Sequence, residues 1–339
     1  MQVIDAKVAG VAGHLNSGVS IPASAVYNQA GIPMISGSAT NPKLTEQGFK
    51  VVFRTVGRDD QQGPAIAQYL ANMKVKKVAI ADDATAYGEG LANEVEKTLK
   101  AAGVQVVARE KATDKTTDFK AILTKMKGKN PDVIFYGGMD ATGGPMIKQA
   151  RELGIKATFA FGDGACTSEM TKLGGPAAEG LICSQAGIPT QMASKDFQDA
   201  FKAKYGEVKQ YAPFFYDAAN ILIAAMQKAD STDPAKYLPE ISKIKFDGAT
   251  MIDVEFDDRK YTGSHYGHLC RAIVALNGVT LMDEREGSQN EVIKALQKDP
   301  SKKAEVAAMM AGQFDTTHQF PQPSFEKPPL RRLRSECPR

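Results

Sequence analysis

Short continuous apolar runs alternate with amphipathic stretches through the middle of the chain. The run Lys77–Asp82 is apolar, and within Tyr87–Ala102 the residues Leu91, Val95 and Leu99 recur at four-residue spacing on one helical face. The same alternation predicts strands at Gly103–Ala108, Asp132–Tyr136 and Thr158–Phe161, and helices at Thr117–Met126 and Gly144–Leu153. Because the apolar runs are continuous, these strands are expected to be buried on both faces of a parallel sheet.

The flanking segments repeat this pattern in shorter units. They predict strands at Val8–Ala12 and Pro33–Ile35, and helices at Pro22–Gln29, Gly63–Met73, Asp196–Lys204 and Tyr216–Lys228. Further strands are predicted at Phe246–Phe256 and at His268–Met282, the second with an Asn277-Gly278 hairpin turn. Thr117 is expected to cap its helix. This count favours two open α/β layers over one large sheet.

Length and charge narrow the class of protein. A chain of 339 residues is expected to form two domains, and it contains no apolar run long enough to span a bilayer. The net charge of +3 is carried by four arginines and one glutamate among the last nine residues. The body is therefore neutral, which argues against a nucleic-acid partner.

The two ends of the chain differ from its body. Five prolines fall in the last 19 residues, so Thr316–Arg339 is predicted to be disordered after polar helices at Glu291–Gln297 and Lys303–Ala311. The first residues lack the basic start and apolar core of a signal peptide. Taken literally, this beginning would leave the chain in the cytoplasm.

The motifs of common enzymes are missing from the sequence. There is no GxSxG, HExxH, GxxxxGK or complete GxGxxG, and Tyr87-Gly-Glu-Gly lacks the third glycine of a dinucleotide fingerprint. His14 is interpreted as a structural histidine, and Asp82 and Asp83 as helix caps or turn residues. We therefore expect no catalysis and no cofactor.

The four cysteines show no CxxC spacing, so neither a metal site nor a dithiol redox site is expected. Cys166 and Cys183 lie at or near the ends of predicted strands. They could form a disulfide in an oxidising compartment or remain two small buried thiols. Cys270 and Cys337 have no obvious partner.

Small polar residues follow several predicted strands, where open α/β sheets bind ligands. Their hydroxyl and N–H groups are suited to a carboxylate, and the residues are Ser17, Ser38, Ala39 and Thr40. Asp163 follows the strand ending near Phe161 and could pair with an ammonium group, while Tyr87 offers a ring and a hydroxyl. Each residue alone is more simply a turn or cap residue, but together they indicate a site for a small zwitterion.

Six segments, in order from about Ala6 to Lys260, carry a resemblance to a known family. They are Gly13-His-Leu-Asn-Ser, Gly37-Ser-Ala-Thr-Asn-Pro, Tyr87-Gly-Glu-Gly-Leu, Asp132-Val-Ile-Phe-Tyr-Gly-Gly, Gly162-Asp-Gly-Ala-Cys and Tyr211-Ala-Pro-Phe-Phe-Tyr-Asp-Ala. The chain resembles the leucine/isoleucine/valine-binding proteins of bacterial ABC importers. The resemblance implies the type I periplasmic-binding-protein fold, with two doubly wound, Rossmann-like lobes that close about a hinge.

The resemblance also implies the extent of each lobe. Residues 1–57 and 187–262 would form the N-terminal lobe, residues 58–186 and 263–283 the C-terminal lobe, and residues 284–339 a helical and then disordered tail. Family members have a signal peptide, a strand, a long helix and a second strand before the part that matches Val8. The first lobe is therefore expected to be incomplete, and the chain to be truncated at its N-terminus.

By resemblance, Ser17 and Ser38 to Thr40 hold the α-carboxylate and ammonium of an amino acid, and Asp163 takes the ammonium from the other lobe. Tyr87, Met139 and Tyr211 match positions near the ligand. Asp163 is shorter than the glutamate of some members, and Met139 stands where some have tyrosine, which makes the pocket wall more pliable.

The resemblance implies a periplasmic protein that delivers a free branched-chain or related amino acid to a membrane permease, without catalysis. Two alternatives stand beside it. The same fold could serve as a ligand-sensing module for an amide or small metabolite, or the chain could be a truncated fragment without function.

Overall fold

The structure is a computed structural model that describes residues 2–244, 246–250, 253–254, 273–276 and 279–280. The predictions for the tail after residue 283, and for Cys270, lie outside the described residues. Among the described residues, no helix is both long and apolar enough to cross a membrane.

In the described part of the chain, helices and strands alternate strictly over residues 2–185, and three helices and then four short strands follow. The strands are β1 Val11–Ala12, β2 Met34–Ser36, β3 Val52–Arg54, β4 Lys77–Asp82, β5 Gln105–Lys111, β6 Val133–Gly137, β7 Thr158–Phe161, β8 Ile182–Gln185, β9 Phe246–Asp247, β10 Asp253–Val254, β11 Ile273–Leu276 and β12 Val279–Thr280. The helices are α1 Gln2–Asp5, α2 Ser17–Ala30, α3 Lys43–Glu46, α4 Asp59–Asn72, α5 Ala86–Ala101, α6 Lys120–Lys127, α7 Asp140–Glu152, α8 Ser168–Gly174, α9 Lys195–Tyr205, α10 Ala212–Lys228 and α11 Pro234–Ile241.

The first sheet is parallel and has the strand order β1-β2-β3. One face packs against α10 and α11 through a buried cluster that includes Ile35, Phe53, Ile221 and Tyr237. The other face packs under α2 and α3 through a second cluster that includes Met34 and Leu44. Because both faces are covered, the strands are wholly apolar apart from the residues at their carboxyl ends.

The second sheet has the order β12-β11-β8-β7-β6-β4-β5. Strands β4 to β8 are parallel, and β11 and β12 add an antiparallel edge. Residues of β4 and β6 alternate between two buried clusters, one on each face of the sheet. This confirms the α/β class and the prediction of parallel strands buried on both faces.

Several predicted bounds were wrong. The helix predicted over Thr117–Met126 is α6, which begins at Lys120 after Phe119, so Thr117 does not cap it. Gln149 instead supplies side-chain contacts there, because its Oε1 accepts from the Phe119 N–H at 2.7 Å and its Nε2 donates to the Thr117 carbonyl at 2.8 Å. The helix predicted to begin at Gly144 is α7, which begins at Asp140, and α2 begins at Ser17 rather than Pro22. Six described elements, α1, α3, β3, α8, β8 and α11, were not delimited from the pattern.

The predicted strand Phe246–Phe256 was also wrong as a single element. Its described residues form β9 and β10, which pair with each other antiparallel. In contrast, β11 and β12 flank the predicted Asn277-Gly278 turn and pair antiparallel, as a hairpin requires.

The chain passes between the two sheets at two neighbouring segments. The Gly57 N–H, after β3, donates to the Ala186 carbonyl, after β8, at 2.7 Å. The predicted lobe boundaries fall at these two residues, and β1 to β3 and β4 to β8 lie on opposite sides of them. The extents of the two lobes and of the tail stay predictions.

Cys166 and Cys183 form a disulfide, with their Cα atoms 5.4 Å apart. Cys183 lies in β8, and Cys166 follows the short 3-10 turn Asp163–Ala165 after β7. The bond therefore ties this turn to the next strand of the sheet.

We expect the Cys166→Ser/Cys183→Ser double variant to unfold more easily in urea than the wild type. Closing a loop of 17 residues restricts the unfolded chain, and its loss lowers the free energy of unfolding by about 3 kcal/mol. Dithiothreitol should have the same effect on the wild type and none on the double variant. Equal midpoints for wild type and variant without reductant would contradict this role.

Candidate functional site

A narrow cleft lies between elements of the two sheets. It is lined by eight residues: Leu15, Asn16, Ser17, Ser38, Tyr87, Met139, Asp163 and Tyr211. Six of the eight ligand-binding residues predicted from the sequence are among them, while Ala39 and Thr40 do not line the cleft. Leu15 and Asn16 were missed, although they stand between His14 and Ser17 in a segment that the resemblance used.

Asp163 is a buried carboxylate, with 1% of its surface exposed, at the carboxyl end of β7. Its Oδ1 accepts hydrogen bonds from Tyr87 Oη and Gln62 Nε2, each at 2.8 Å. Its Oδ2 accepts one from Tyr211 Oη at 2.5 Å. A carboxylate has about four acceptor positions, so Oδ2 can take one further donor.

Two glycines flank Asp163 and let Tyr87 approach it. A Cβ at Gly162 would lie 2.5 Å from Tyr87 Oη, and one at Gly164 would lie 2.9 Å from Tyr87 Cε1 and 2.6 Å from Met139 Sδ. The Tyr87 hydroxyl accepts from the Gly164 N–H at 2.8 Å while it donates to Asp163. The Gly-Asp-Gly segment is therefore shaped by close packing around the tyrosine ring.

Ser17 is the first residue of α2, and Asn16 precedes it as the N-terminal flanking residue. The Ser17 hydroxyl accepts from the Asn41 N–H at 3.2 Å, so its own proton remains available for another acceptor. The first N–H groups of a helix have no partner within it. The start of α2 therefore offers donors and a favourable dipole for an anion in the cleft.

Many polar groups of the loop after β2 already form hydrogen bonds with other groups of the protein. The Ser38 hydroxyl donates to the Leu15 carbonyl at 2.7 Å, and the Ala39 N–H donates to Ser36 Oγ at 3.0 Å. The Thr40 carbonyl accepts from the Asp59 N–H at 3.0 Å. The N–H groups of Ser38 and Ala39 therefore already have an acceptor within the loop, because Ser36 Oγ accepts from both.

Arg54 holds this loop from behind and was not found from the sequence. Its side chain is fully buried at the end of β3. It donates to the carbonyls of Ala39 at 2.6 Å and Asn41 at 2.8 Å, and to Thr45 Oγ1 at 3.1 Å. A buried guanidinium bound to backbone carbonyls both shapes the loop and places positive charge behind it.

A second buried acid, Asp59, lies near Asp163 at the start of α4. Burial raises the pKa of Asp59 well above its usual value, and the charge of Asp163 raises it further. Burial also raises the pKa of Asp163, while hydrogen bonds from Tyr211, Gln62 and Tyr87 oppose that change. The pKa values of the Tyr87 and Tyr211 hydroxyls are raised by burial, so both remain protonated donors.

The other residues considered for chemistry have structural contacts. His14 Nε2 and Tyr27 Oη form a hydrogen bond of 2.8 Å. Asp82 forms an ion pair with Arg109, and Asp83 Oδ1 accepts from Thr85 Oγ1 at 2.6 Å. In the part of the chain that the structure describes, no group of three or more His, Cys, Asp or Glu residues could hold a metal ion.

The family model described as periplasmic binding protein matches residues 2–273. The Leu/Ile/Val-binding protein homolog 1 of Brucella abortus (strain 2308) is 38% identical over 254 residues, covering 74% of this chain and 68% of the relative. The Leucine-, isoleucine-, valine-, threonine-, and alanine-binding protein of Pseudomonas aeruginosa is 32% identical over 261 residues, with coverages of 76% and 70%.

Two solved structures are similar over most of the chain. The leucine-binding protein LivK of Thermotoga maritima has a TM-score of 0.72 at 31% identity, covering 82% of this chain and 79% of LivK. The branched-chain amino acid transporter substrate-binding protein LivJ of Streptococcus pneumoniae, in complex with isoleucine, has a TM-score of 0.70 at 30% identity, with coverages of 83% and 80%. The chain belongs to the periplasmic binding protein family.

We expect the Asp59→Asn variant to be more stable than the wild type at neutral pH. Because folding raises the pKa of Asp59, the stability that its proton confers is complete at low pH and is lost as pH rises through that pKa. Asparagine carries no charge at any pH. The free energy of unfolding of the variant should therefore exceed that of the wild type by a margin that grows from about pH 4 upward, by about 1.4 kcal/mol for each unit between the folded and unfolded pKa of Asp59. Urea unfolding of both proteins at pH 3.5 and pH 7.5 measures this, and a constant difference would contradict it.

Proposed function

We propose that this protein is the non-catalytic solute-binding component of an ABC importer and captures a branched-chain or related amino acid in the cleft. The observation that carries the proposal is the buried Asp163 carboxylate, which shares the cleft with the N-terminus of α2. A cation acceptor and an anion donor in one small site suit the two charges of a free amino acid. The relatives named for leucine, isoleucine and valine favour this function over a sensor of amides or other metabolites.

The ammonium group would pair with Asp163. A buried carboxylate without a cation is costly, and burial already raises the pKa of Asp163. The acceptor position left on Oδ2 lies on the same oxygen that accepts from Tyr211. An ammonium there would form a charge-assisted hydrogen bond and offset the cost of the buried charge.

The carboxylate would bind at the start of α2. The Ser17 hydroxyl proton, the first N–H groups of α2 and the helix dipole all favour an anion at this position. Arg54, behind the loop after β2, adds a buried positive charge without lining the cleft. The groups that would hold the carboxylate and the ammonium therefore come from different sheets.

The side chain of the amino acid would contact the apolar part of the lining. Leu15 is 49% exposed, and Met139 and the Tyr87 ring provide further apolar surface. Methionine adapts its shape to different hydrocarbon groups. This lining suits leucine, isoleucine and valine together better than a single one of them.

Contacts across the cleft would hold it closed around a ligand. Tyr211 precedes α10, which packs on the first sheet, and donates to Asp163 of the second. Asn41, in the loop after β2, donates through Nδ2 to the Ala86 carbonyl at the start of α5, at 2.6 Å. Closure of this kind excludes water and completes the set of ligand contacts.

The cleft is proposed to bind without reaction, as the periplasmic binding protein family implies. We propose a periplasmic location and a membrane permease as partner, as the family implies. The Cys166–Cys183 disulfide is consistent with an oxidising compartment.

We expect Asp163→Ala to weaken leucine binding, measured by calorimetry at pH 7.5, at least about thirtyfold, because removing one partner of a buried ion pair costs 2 kcal/mol or more. Asp118→Ala is the matched control, since Asp118 is exposed and accepts only a local hydrogen bond from the Lys120 N–H. Isoleucine and valine should show the same loss. Equal heats for the wild type and Asp163→Ala would exclude the proposed role.

We expect Gly90→Ala to weaken leucine binding about fivefold without unfolding the protein. A Cβ at Gly90 would lie 2.6 Å from Asn41 Nδ2, so Asn41 would have to move and lose its hydrogen bond to Ala86, worth about 1 kcal/mol. Gly128→Ala is the control, because a Cβ there meets its nearest atom at 3.5 Å. Unchanged affinity in Gly90→Ala would show that the Asn41 contact does not contribute to closure.

A further inference from the structure

Gln62 lies directly behind Asp163 but outside the cleft lining. It is in the first turn of α4, near the passage from the first sheet to the second, and 1% of its surface is exposed. The remainder of α4 is fixed on the second sheet by Ile66, Ala67 and Leu70, which are fully buried. The position of the Gln62 side chain is therefore determined by a helix that packs firmly on the sheet carrying Asp163.

The amide of Gln62 contacts both the backbone and the side chain of Asp163. Its Oε1 accepts from the Asp163 N–H at 3.0 Å, and its Nε2 donates to Asp163 Oδ1 at 2.8 Å. This pair of bonds leaves Asp163 little freedom to turn about its side-chain torsions. It also keeps Oδ2 directed toward Tyr211, on the cleft side.

Two more contacts fix the orientation of the amide itself. Ser184 Oγ donates to Gln62 Oε1 at 2.9 Å, and Gln62 Nε2 also donates to Asp59 Oδ1 at 3.3 Å. The oxygen thus receives two donors and the nitrogen serves two acceptors, which is the full capacity of a primary amide. A flipped amide would place its NH₂ group against the Asp163 N–H and its oxygen against two carboxyl groups.

The same amide stands between two buried acids. The charge of Asp163 raises the pKa of Asp59, so the two carboxyl groups interact unfavourably when both are ionised. The Gln62 NH₂ group donates to both of them and reduces this repulsion without adding charge. Neither a glutamate nor an apolar side chain of the same length could donate in this way when the site is ionised.

We propose that Gln62 is a positioning residue for ammonium recognition, which holds the Asp163 carboxylate in the orientation that binds the ligand. The inference rests on the proposed function, in which Asp163 pairs with the ammonium of an amino acid. Gln62 itself touches no ligand, and its effect on binding acts through Asp163.

A double-mutant cycle with Gln62→Met and Asp163→Asn tests this inference. Both changes preserve approximate side-chain size while removing the relevant hydrogen bonds or charge. Leucine affinity is measured by calorimetry for the wild type, both single variants and the double variant. The same proteins are titrated with the keto acid that has the carboxylate and side chain of leucine but no ammonium. Gln62→Glu, which keeps the length but cannot donate when ionised, is the second variant at this position.

We expect Gln62→Met and Gln62→Glu each to weaken leucine binding about tenfold or more, and the affinity for the keto acid to change less than about twofold. Adding Gln62→Met to Asp163→Asn should weaken leucine binding less than about twofold further, because the residue through which Gln62 acts is already neutral. Equal losses for leucine and the keto acid, or losses that multiply in the double variant, would overturn the inference and indicate a general structural role.

The outcomes also separate this inference from the proposed function. If Asp163→Asn weakens leucine binding while both Gln62 variants bind as the wild type does, the positioning role fails and the ammonium site stands. If Asp163→Asn itself binds leucine normally, the assignment of Asp163 is overturned and the role of Gln62 with it. If circular dichroism shows that Gln62→Met does not fold, the affinities of Gln62→Glu for leucine and for the keto acid test the positioning role of Gln62.

Discussion

The buried carboxylate of Asp163 imposes the constraint on which the arrangement of the cleft depends. A charge removed from water must be surrounded by donors, and here the donors come from α4, from α5 and from the residue before α10. Each of these elements packs on a sheet through its own apolar face. The requirement to satisfy one carboxylate therefore ties Asp163 to residues that lie up to 101 positions away from it in the chain.

Close packing around this carboxylate depends on the absence of side chains at its neighbours. Gly162 and Gly164 leave room for the Tyr87 side chain, since a Cβ at Gly162 would lie 2.5 Å from its hydroxyl oxygen and one at Gly164 would lie 2.9 Å from its ring. On the other side, the disulfide from Cys166 holds the turn against β8. The Asp163 turn is therefore restrained on both sides by covalent or steric contacts rather than by the turn sequence alone.

The first sheet also buries a charged side chain that needs hydrogen-bond partners, and here the charge is positive. Arg54 is buried behind the loop after β2, and carbonyl oxygens of that loop accept from its guanidinium. The bonds from Arg54 thereby shape the loop, and the charge of Arg54 also acts on the buried Asp59, whose pKa it lowers against the larger effect of burial. Across the cleft, the Asp163 carboxylate on one side and the donors at the start of α2 on the other create the polarity that an amino acid would match.

The local pattern of the sequence predicted strands β4 to β7 of the second sheet and the helices that follow β4, β5 and β6, because continuous apolar runs such as Lys77–Asp82 and Thr158–Phe161 leave a buried parallel strand as the simplest solution. The ends of those strands, together with the family resemblance, also indicated six of the residues that line the cleft. Short elements such as β3 and α3 were missed, since three or four residues carry too little periodicity to be recognised.

Gln62 and Arg54 could not be identified from their surroundings in sequence, because a glutamine in a polar helix start and an arginine at a strand end are ordinary there. Only the tertiary structure decided their roles, by burying both side chains and bringing them to hydrogen-bond partners that are distant in the chain.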